Sequence, residues 1–182
     1  YRLGRQQARV VLFLAGHGER KPRGVANHDL GTFGRELEKI GIQPETLDLT
    51  TETQIPDTAA ALVIAGPQAP LRTAEIQAIV EYVGRGGHLL WLLEPEDPSG
   101  LQELAPLLGI AVLPGVVVDA DTPLLGIKNP AFIPIADYGP HPITESLRSP
   151  ALLPQAVALD LQPAAGWKAD VLLESQLRTW TE

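Results

Sequence analysis

Residues 62–95 constrain the fold more than any other part of the chain, because they encode one complete strand-helix-strand unit. An apolar run is followed by a turn, a segment with a helical apolar stripe, a glycine-rich turn and a second apolar run. The stripe consists of Ile76, Ile79, Val80 and Val83. Because the intervening helix carries the chain back to the end of the sheet at which the first strand began, the two strands run parallel. The sequence therefore predicts an α/β fold with a mostly parallel sheet.

Three uniformly apolar runs, at residues 9–16, 60–66 and 89–93, predict central strands that are buried on both faces. The run at residues 45–49 alternates apolar and polar side chains and follows Pro44, which favours a sheet edge. A doubly wound sheet with strand order 2-1-3-4-5 accommodates this pattern. We therefore expect a flavodoxin-like fold, of the kind also seen in class I glutamine amidotransferases.

Two helices connect these strands. Asp29 is predicted to cap a helix that ends near Ile40, and Thr73 to cap the helix of the crossover unit. The first helix is expected to bury one apolar face. That face comprises Leu30, Phe33, Leu37 and Ile40.

The second half of the chain is less regular. Ser99 and Gln102 predict a capped helix that ends at Leu108, and short strands are expected at residues 110–112 and 116–118. Residues 120–150 are proline-rich and predict an ordered surface excursion. Alternating apolar residues then predict late strands added to the sheet, at Val157, Leu159 and Leu161 and at Val171 and Leu173. We expect residues 1–182 to form a single α/β domain.

Charge and composition exclude several classes of function. The formal net charge of −8 disfavours a nucleic-acid-binding role. The absence of cysteine excludes disulfides, thiolate metal sites and cysteine nucleophiles. No apolar run approaches the roughly 18 residues that span a bilayer. The chain begins at Tyr1 and contains no methionine, so we expect it to be a fragment of a longer protein.

Polar residues follow the predicted strands at the edge where ligands bind in open α/β sheets. His17 and Glu19 follow the first strand, Gln68 follows the third, and Glu94 follows the fourth. These four side chains form the candidate ligand-binding crevice, with no metal or cofactor required. In the alternative interpretation, His17, Glu19 and Glu94 stabilise turns or form ion pairs and bind no ligand.

Two alternatives use other chemistry. A metal-dependent enzyme could recruit His141 to His17 and Glu19. In the other interpretation, His141 and the two residues after it anchor a loop, with Ile143 buried and Thr144 capping a turn.

Nucleophilic catalysis is disfavoured by the residues at the predicted turns. Amidotransferases of this sheet type place a cysteine nucleophile after a strand, and this chain has none. No serine lies on the strand-to-helix elbow that a serine nucleophile requires. The serines are Ser99, Ser146, Ser149 and Ser175. We expect no catalytic residues.

Three motifs lie in the first half of the chain: residues 16–20, GHGER; residues 63–67 with Pro70 and Leu71; and residues 81–87. The first resembles a signature of the gliding-motility-type auxiliary component of ABC transport systems, and the other two are similar to the central block of that family. Leu172, Leu173, Ser175, Trp180 and Glu182 near the end also match, as do residues 141–144.

This resemblance implies a non-enzymatic accessory domain that contacts the permease or binds a ligand for it. The family's members are bacterial inner-membrane proteins, which implies a soluble domain facing the periplasm between membrane helices that flank it. The implied partners are ABC permease and ATPase subunits, and no nucleic acid. A small-molecule or carbohydrate-binding module, or a vestigial hydrolase, remains the alternative.

Overall fold

The computed structural model describes residues 9–162 and 166–182, which divide into two compact units. The first unit comprises the described residues up to Leu92 together with Asp97–Leu101. The second comprises Leu93–Glu96 and the described residues from Gln102 to Glu182. The prediction of one domain over residues 1–182 stays a prediction.

The first unit is built on a four-stranded parallel sheet with the order β2-β1-β3-β4. The strands are β1 (Arg9–Ala15), β2 (Ile42–Asp48), β3 (Ala61–Ala65) and β4 (Leu89–Leu92). Helix α1 (Gly31–Lys39) connects β1 to β2, and α2 (Thr73–Gly84) connects β3 to β4. The α/β prediction is confirmed at this level, and the crossover unit of residues 62–95 is present.

The two central strands of the sheet, β1 and β3, are buried on both faces. On one face, Val11, Phe13, Val63 and Ala65 form a core cluster on which Leu30 and Leu37 pack. The alternate residues of β1 and β3 are also buried, as are Ile79 and Val83 of α2. After the exposed Arg9 at the start of β1, both central strands are apolar at every position, because each face needs a layer of apolar side chains.

Helix α1 differs from the prediction at both ends. Asp29 does not cap it; the carboxylate instead accepts hydrogen bonds from the backbone N–H groups of Lys21 and Ala26. Because those bonds organise the preceding loop, the helix begins after Leu30 without a side-chain cap. Ile40 is exposed, since it lies beyond the last turn and leaves the core face.

Strand β4 was predicted to be central, but it lies at the edge of the four-stranded sheet. Leu90 and Leu92, on one face of this strand, are exposed. The sheet ends there, among the described residues, because β5 pairs elsewhere. The predicted five-stranded order is therefore wrong in its last position.

The described residues of the second unit contain three two-stranded antiparallel sheets. They pair β5 (Ile110–Val112) with β9 (Leu159–Leu161), β6 (Val117–Asp119) with β10 (Thr179–Thr181), and β7 (Phe132–Ile135) with β8 (Ala151–Pro154). The late strand at residues 159–161 exists but does not extend the parallel sheet. Leu173 forms only an isolated bridge with Tyr138.

Short helical segments complete the second half. The predicted helix at residues 99–108 is shorter, with a 3-10 turn at Leu101–Glu103 followed by α3 (Leu104–Leu107). A second 3-10 turn spans Thr122–Leu125. Residues 120–150 also contain β7, whose Ile133 and Ile135 are buried in a cluster with Val117.

Candidate functional site

The turn after β1 buries the two titratable residues that the sequence singled out. Gly16 and Gly18 adopt positive φ angles of 116° and 84°, which glycine tolerates without strain. His17, which lies between these glycines, is 9% exposed, and Glu19, which follows them, is 6% exposed. The His17 backbone N–H donates to Oε2 of Glu19 over 2.8 Å. The turn therefore folds its own carboxylate inward.

Glu75, in the first turn of α2, completes the cluster and was not identified from the sequence. Its Oε2 lies 3.3 Å from Nε2 of His17, while Oε1 of Glu19 lies 3.6 Å from Nδ1. Glu75 is 3% exposed. The imidazole is thus flanked by a carboxylate on each side. A sequence signal existed, because Glu75 lies four residues before the buried Ile79 and so shares the core face of the helix.

Each carboxylate of this cluster also holds the backbone. Oε2 of Glu75 accepts from the N–H of Arg72 over 2.6 Å, which fixes the start of α2. The remaining oxygen of each glutamate, and Nδ1 of His17, have no hydrogen-bond partner among the described residues. These atoms are buried, so a bulky substrate cannot reach them. We interpret the cluster as an internal lock between β1 and α2.

Gln68 joins the turn after β3 to the turn after β1. Its backbone N–H donates to the carbonyl oxygen of His17 over 2.7 Å, and its side-chain amide donates to that of Gly66 over 2.9 Å. A Cβ at Gly18 would lie 3.1 Å from Cβ of Gln68. The two loops therefore touch where a ligand crevice was predicted.

Asp48, at the end of β2, is a second residue that the sequence did not single out. Its Oδ1 accepts from both the backbone N–H and the hydroxyl of Thr50. These hydrogen bonds lower the pKa of Asp48 below its usual value. The same oxygen lies 3.0 Å from the position of a Cβ at Gly16, so Asp48 closes the crevice on its other side.

The structure brings together His17, Glu19 and Gln68, but Glu94 belongs to the second unit. Glu94 is half-buried there and makes an interaction of its own. The predicted four-residue ligand site stays a prediction.

His141 also lies in the second unit, where it organises a loop. Its Nδ1 accepts from the N–H of Ile143, and its carbonyl oxygen accepts from the N–H of Thr144. The hydroxyl of Thr144 donates to the carbonyl oxygen of Gly139, and this threonine is buried. Ile143 is exposed, contrary to expectation, because Thr144 rather than Ile143 points inward.

Two features are absent from residues 9–162 and 166–182. No group of three or more histidine, aspartate or glutamate side chains has the arrangement of a metal site. None of the helices in those ranges is both long and apolar enough to cross a membrane.

Comparisons with known proteins give a solved structure with the same fold and a family to which the chain belongs. A solved structure titled "mmIFT52 N-terminal domain" superimposes with a TM-score of 0.72 at 18% sequence identity. The superposition covers 93% of this chain and 74% of the other, so the two share a fold. No curated protein matches the sequence. The family described as "ABC-type uncharacterized transport system" matches residues 8–182, and the chain belongs to this family of ABC transport auxiliary proteins.

Proposed function

We propose that this chain is a non-enzymatic accessory domain that acts by contacting the permease of its ABC-type transport system. Family membership supports a role in transport. The observation that favours protein contact over catalysis is that the polar residues of the predicted crevice are already used within the fold. His17 and Glu19 are buried and bonded within the fold, and the turn of Gly66, Pro67 and Gln68 carries no nucleophile.

The sheet order also suggests which enzymes share this type of sheet. We interpret β2-β1-β3-β4 as the core of a flavodoxin-like or class I glutamine amidotransferase-like sheet. In the related enzymes the turn after a strand presents the nucleophile. Here the corresponding turns serve as contacts between loops, which supports a fold retained without amidotransferase chemistry.

We further propose that the domain faces the periplasm of a bacterial cell, anchored in the inner membrane by flanking helices. Protease treatment of intact spheroplasts should then degrade the domain, whereas inside-out vesicles should protect it. Protection in spheroplasts would overturn this localisation.

Purification of the full-length protein from detergent-solubilised membranes tests the contact with the transporter. We expect the permease and ATPase subunits to co-purify in fixed proportion, and His17→Ala with preserved folding to leave this association unchanged. A full-length protein that purifies without either subunit would contradict the proposal.

A ligand-binding module that uses the crevice is the second candidate. The exposed side chain of Gln68, where the turns after β1 and β3 meet, favours it, because ligands of open α/β sheets bind beyond the carboxyl ends of the strands. A thermal-shift screen with mono- and oligosaccharides, repeated on Gln68→Ala, tests this candidate. Stabilisation of the wild type that disappears in Gln68→Ala would favour ligand binding over contact alone.

A further inference from the structure

An apolar groove of about 700 Å³ lies within the second unit, and we call it the β9 groove. Its floor includes Val117, Ile133 and Ile135, the buried cluster of this unit. Its walls are two stretches of chain, residues 156–161 and 170–175. A cavity of this size accommodates several side chains of a ligand.

Strand β9 presents an open hydrogen-bonding edge. It pairs with β5 in antiparallel register, with Ile110 opposite Leu161 and Val112 opposite Leu159. The flanking hydrogen bonds run from Gln162 N–H to Gly109 and from Leu113 N–H to Ala158. These two bonds show that Gly109–Gln162 and Leu113–Ala158 are hydrogen-bonded pairs of the ladder, which alternate with pairs that exchange no hydrogen bonds.

In an antiparallel ladder, the residues between hydrogen-bonded pairs direct their N–H and C=O groups to the opposite edge. The backbone groups of Leu159 and Leu161 therefore point away from β5. Within the described part of the chain, no backbone group pairs with them on that edge. Such an edge is a template for an added strand.

The side chains beside this edge are apolar and accessible. Leu159 is 47% exposed and Leu161 is 40% exposed, and both line the β9 groove. On the other wall, Val171 and Leu173 are also exposed. An extended segment placed here would bury every second side chain against these residues, because side chains alternate along a strand.

The negative charge of the second unit indicates which side chains would favour binding at the two ends of such a segment. The unit contains four lysine or arginine and eleven aspartate or glutamate residues, a formal charge of −7 out of the chain's −8. Asp160 and Glu174 line the groove itself, as does Asp170, whose charge is offset by Lys168. Cationic side chains at the ends of the docked segment would complement this field.

We propose that the β9 groove binds an extended segment of a partner protein, with apolar residues at alternate positions and lysine or arginine at its ends. The segment adds to β9 as a further strand. The proposal deepens the contact role proposed above and rests on it for the partner's identity. The peptide experiment below uses no transporter subunit, so its failure would leave that role standing.

Selection from a phage-displayed library of random dodecapeptides on the full 182-residue chain tests the proposal. We expect enriched peptides to alternate apolar and polar residues and to carry lysine or arginine at their ends. Enrichment of acidic peptides, enrichment of helical amphipathic ones, or no enrichment would overturn it. Self-association of the chain that occupies the groove would also overturn it, because the occupant would then be a second copy.

Affinities of an enriched peptide for variant chains provide the second test. Leu161→Lys should weaken binding at least about tenfold, because it places a charge against the apolar docked segment. Glu174→Lys should weaken it about threefold at low salt and less at high salt. The matched control is Leu124→Lys, an exposed leucine of the same unit that does not line the groove.

Backbone chemistry separates strand addition from simple apolar docking. N-methylation of the peptide at alternate residues, in the phase that faces β9, should weaken binding at least about tenfold, since each methyl group removes a donor. Methylation in the opposite phase should have a smaller effect. Equal losses in both phases, or equal losses in Leu161→Lys and Leu124→Lys, would refute the assignment.

Discussion

Truncation of Glu75 to alanine offers the sharpest measurement of whether the buried cluster is a lock or a working site. The variant loses the carboxylate that accepts from the N–H of Arg72 at the start of α2. Loss of such a cap costs about 1 kcal/mol. It also removes the carboxylate 3.3 Å from Nε2 of His17, and a buried polar atom without a partner costs about 1–3 kcal/mol. The free energy of unfolding should therefore fall by about 2–4 kcal/mol.

Urea denaturation at neutral pH, followed by far-UV circular dichroism, measures this change. Glu75→Gln retains an oxygen that can accept from the backbone, so it should lose only about 1 kcal/mol. Glu81→Ala, an exposed position on the same helix, is the control and should lie within about 0.5 kcal/mol of wild type. Equal or greater stability of Glu75→Ala would refute the lock, because groups kept for binding or catalysis commonly reduce stability.

Four further substitutions test other parts of the fold. Gly34→Ala should destabilise the chain by about 1–3 kcal/mol in urea denaturation, because the new Cβ would overlap the carbonyl oxygen of Pro22, whereas Gly84→Ala meets open space and should be neutral or stabilising. Backbone hydrogen bonds hold the pKa of Asp29 below its usual value, so its contribution to stability is present above the unfolded-state pKa and is lost as the pH falls through the folded-state pKa. The stability gap between wild type and Asp29→Asn should therefore narrow between pH 7 and pH 3, and a constant gap would contradict this. Leu62→Ala, at a fully buried position of β3, should cost about 2–5 kcal/mol, and a loss below 1 kcal/mol would show that the position is not core.

The parallel core could be predicted because its signals are local. The apolar run of β3, the helical stripe that contains Ile79, and the glycine turn all lie within one stretch of chain. The position of β4 could not be predicted in the same way. Its sequence is apolar enough for a central strand, and only the pairing of β5 with β9, nearly 50 residues later, leaves it at an edge.

The candidate site shows the same limit. Proximity of His17 to Glu19 follows from two residues of separation, whereas Glu75 joins them only because the crossover places the start of α2 beside the first turn. The exposure of Ile143 had no sequence signal, since proline-bounded loops can turn either neighbour inward. The acidic residues of the second half are visible in the sequence, but the position of three of them along the β9 groove depends on the fold.

The return of the chain to the first unit at Asp97–Leu101 determines how that unit can be isolated. Leu101 is fully buried, and the carbonyl oxygen of Ser99 accepts from the N–H of Leu71 over 3.0 Å. A polypeptide that stops at Leu92 would contain every strand of the parallel sheet and still lack this closing piece. One that stops after residue 101 would include it at the cost of nine more residues. The last strand of a sheet is thus a poor guide to where such a unit can be cut, and expression trials of the two lengths should differ in yield accordingly.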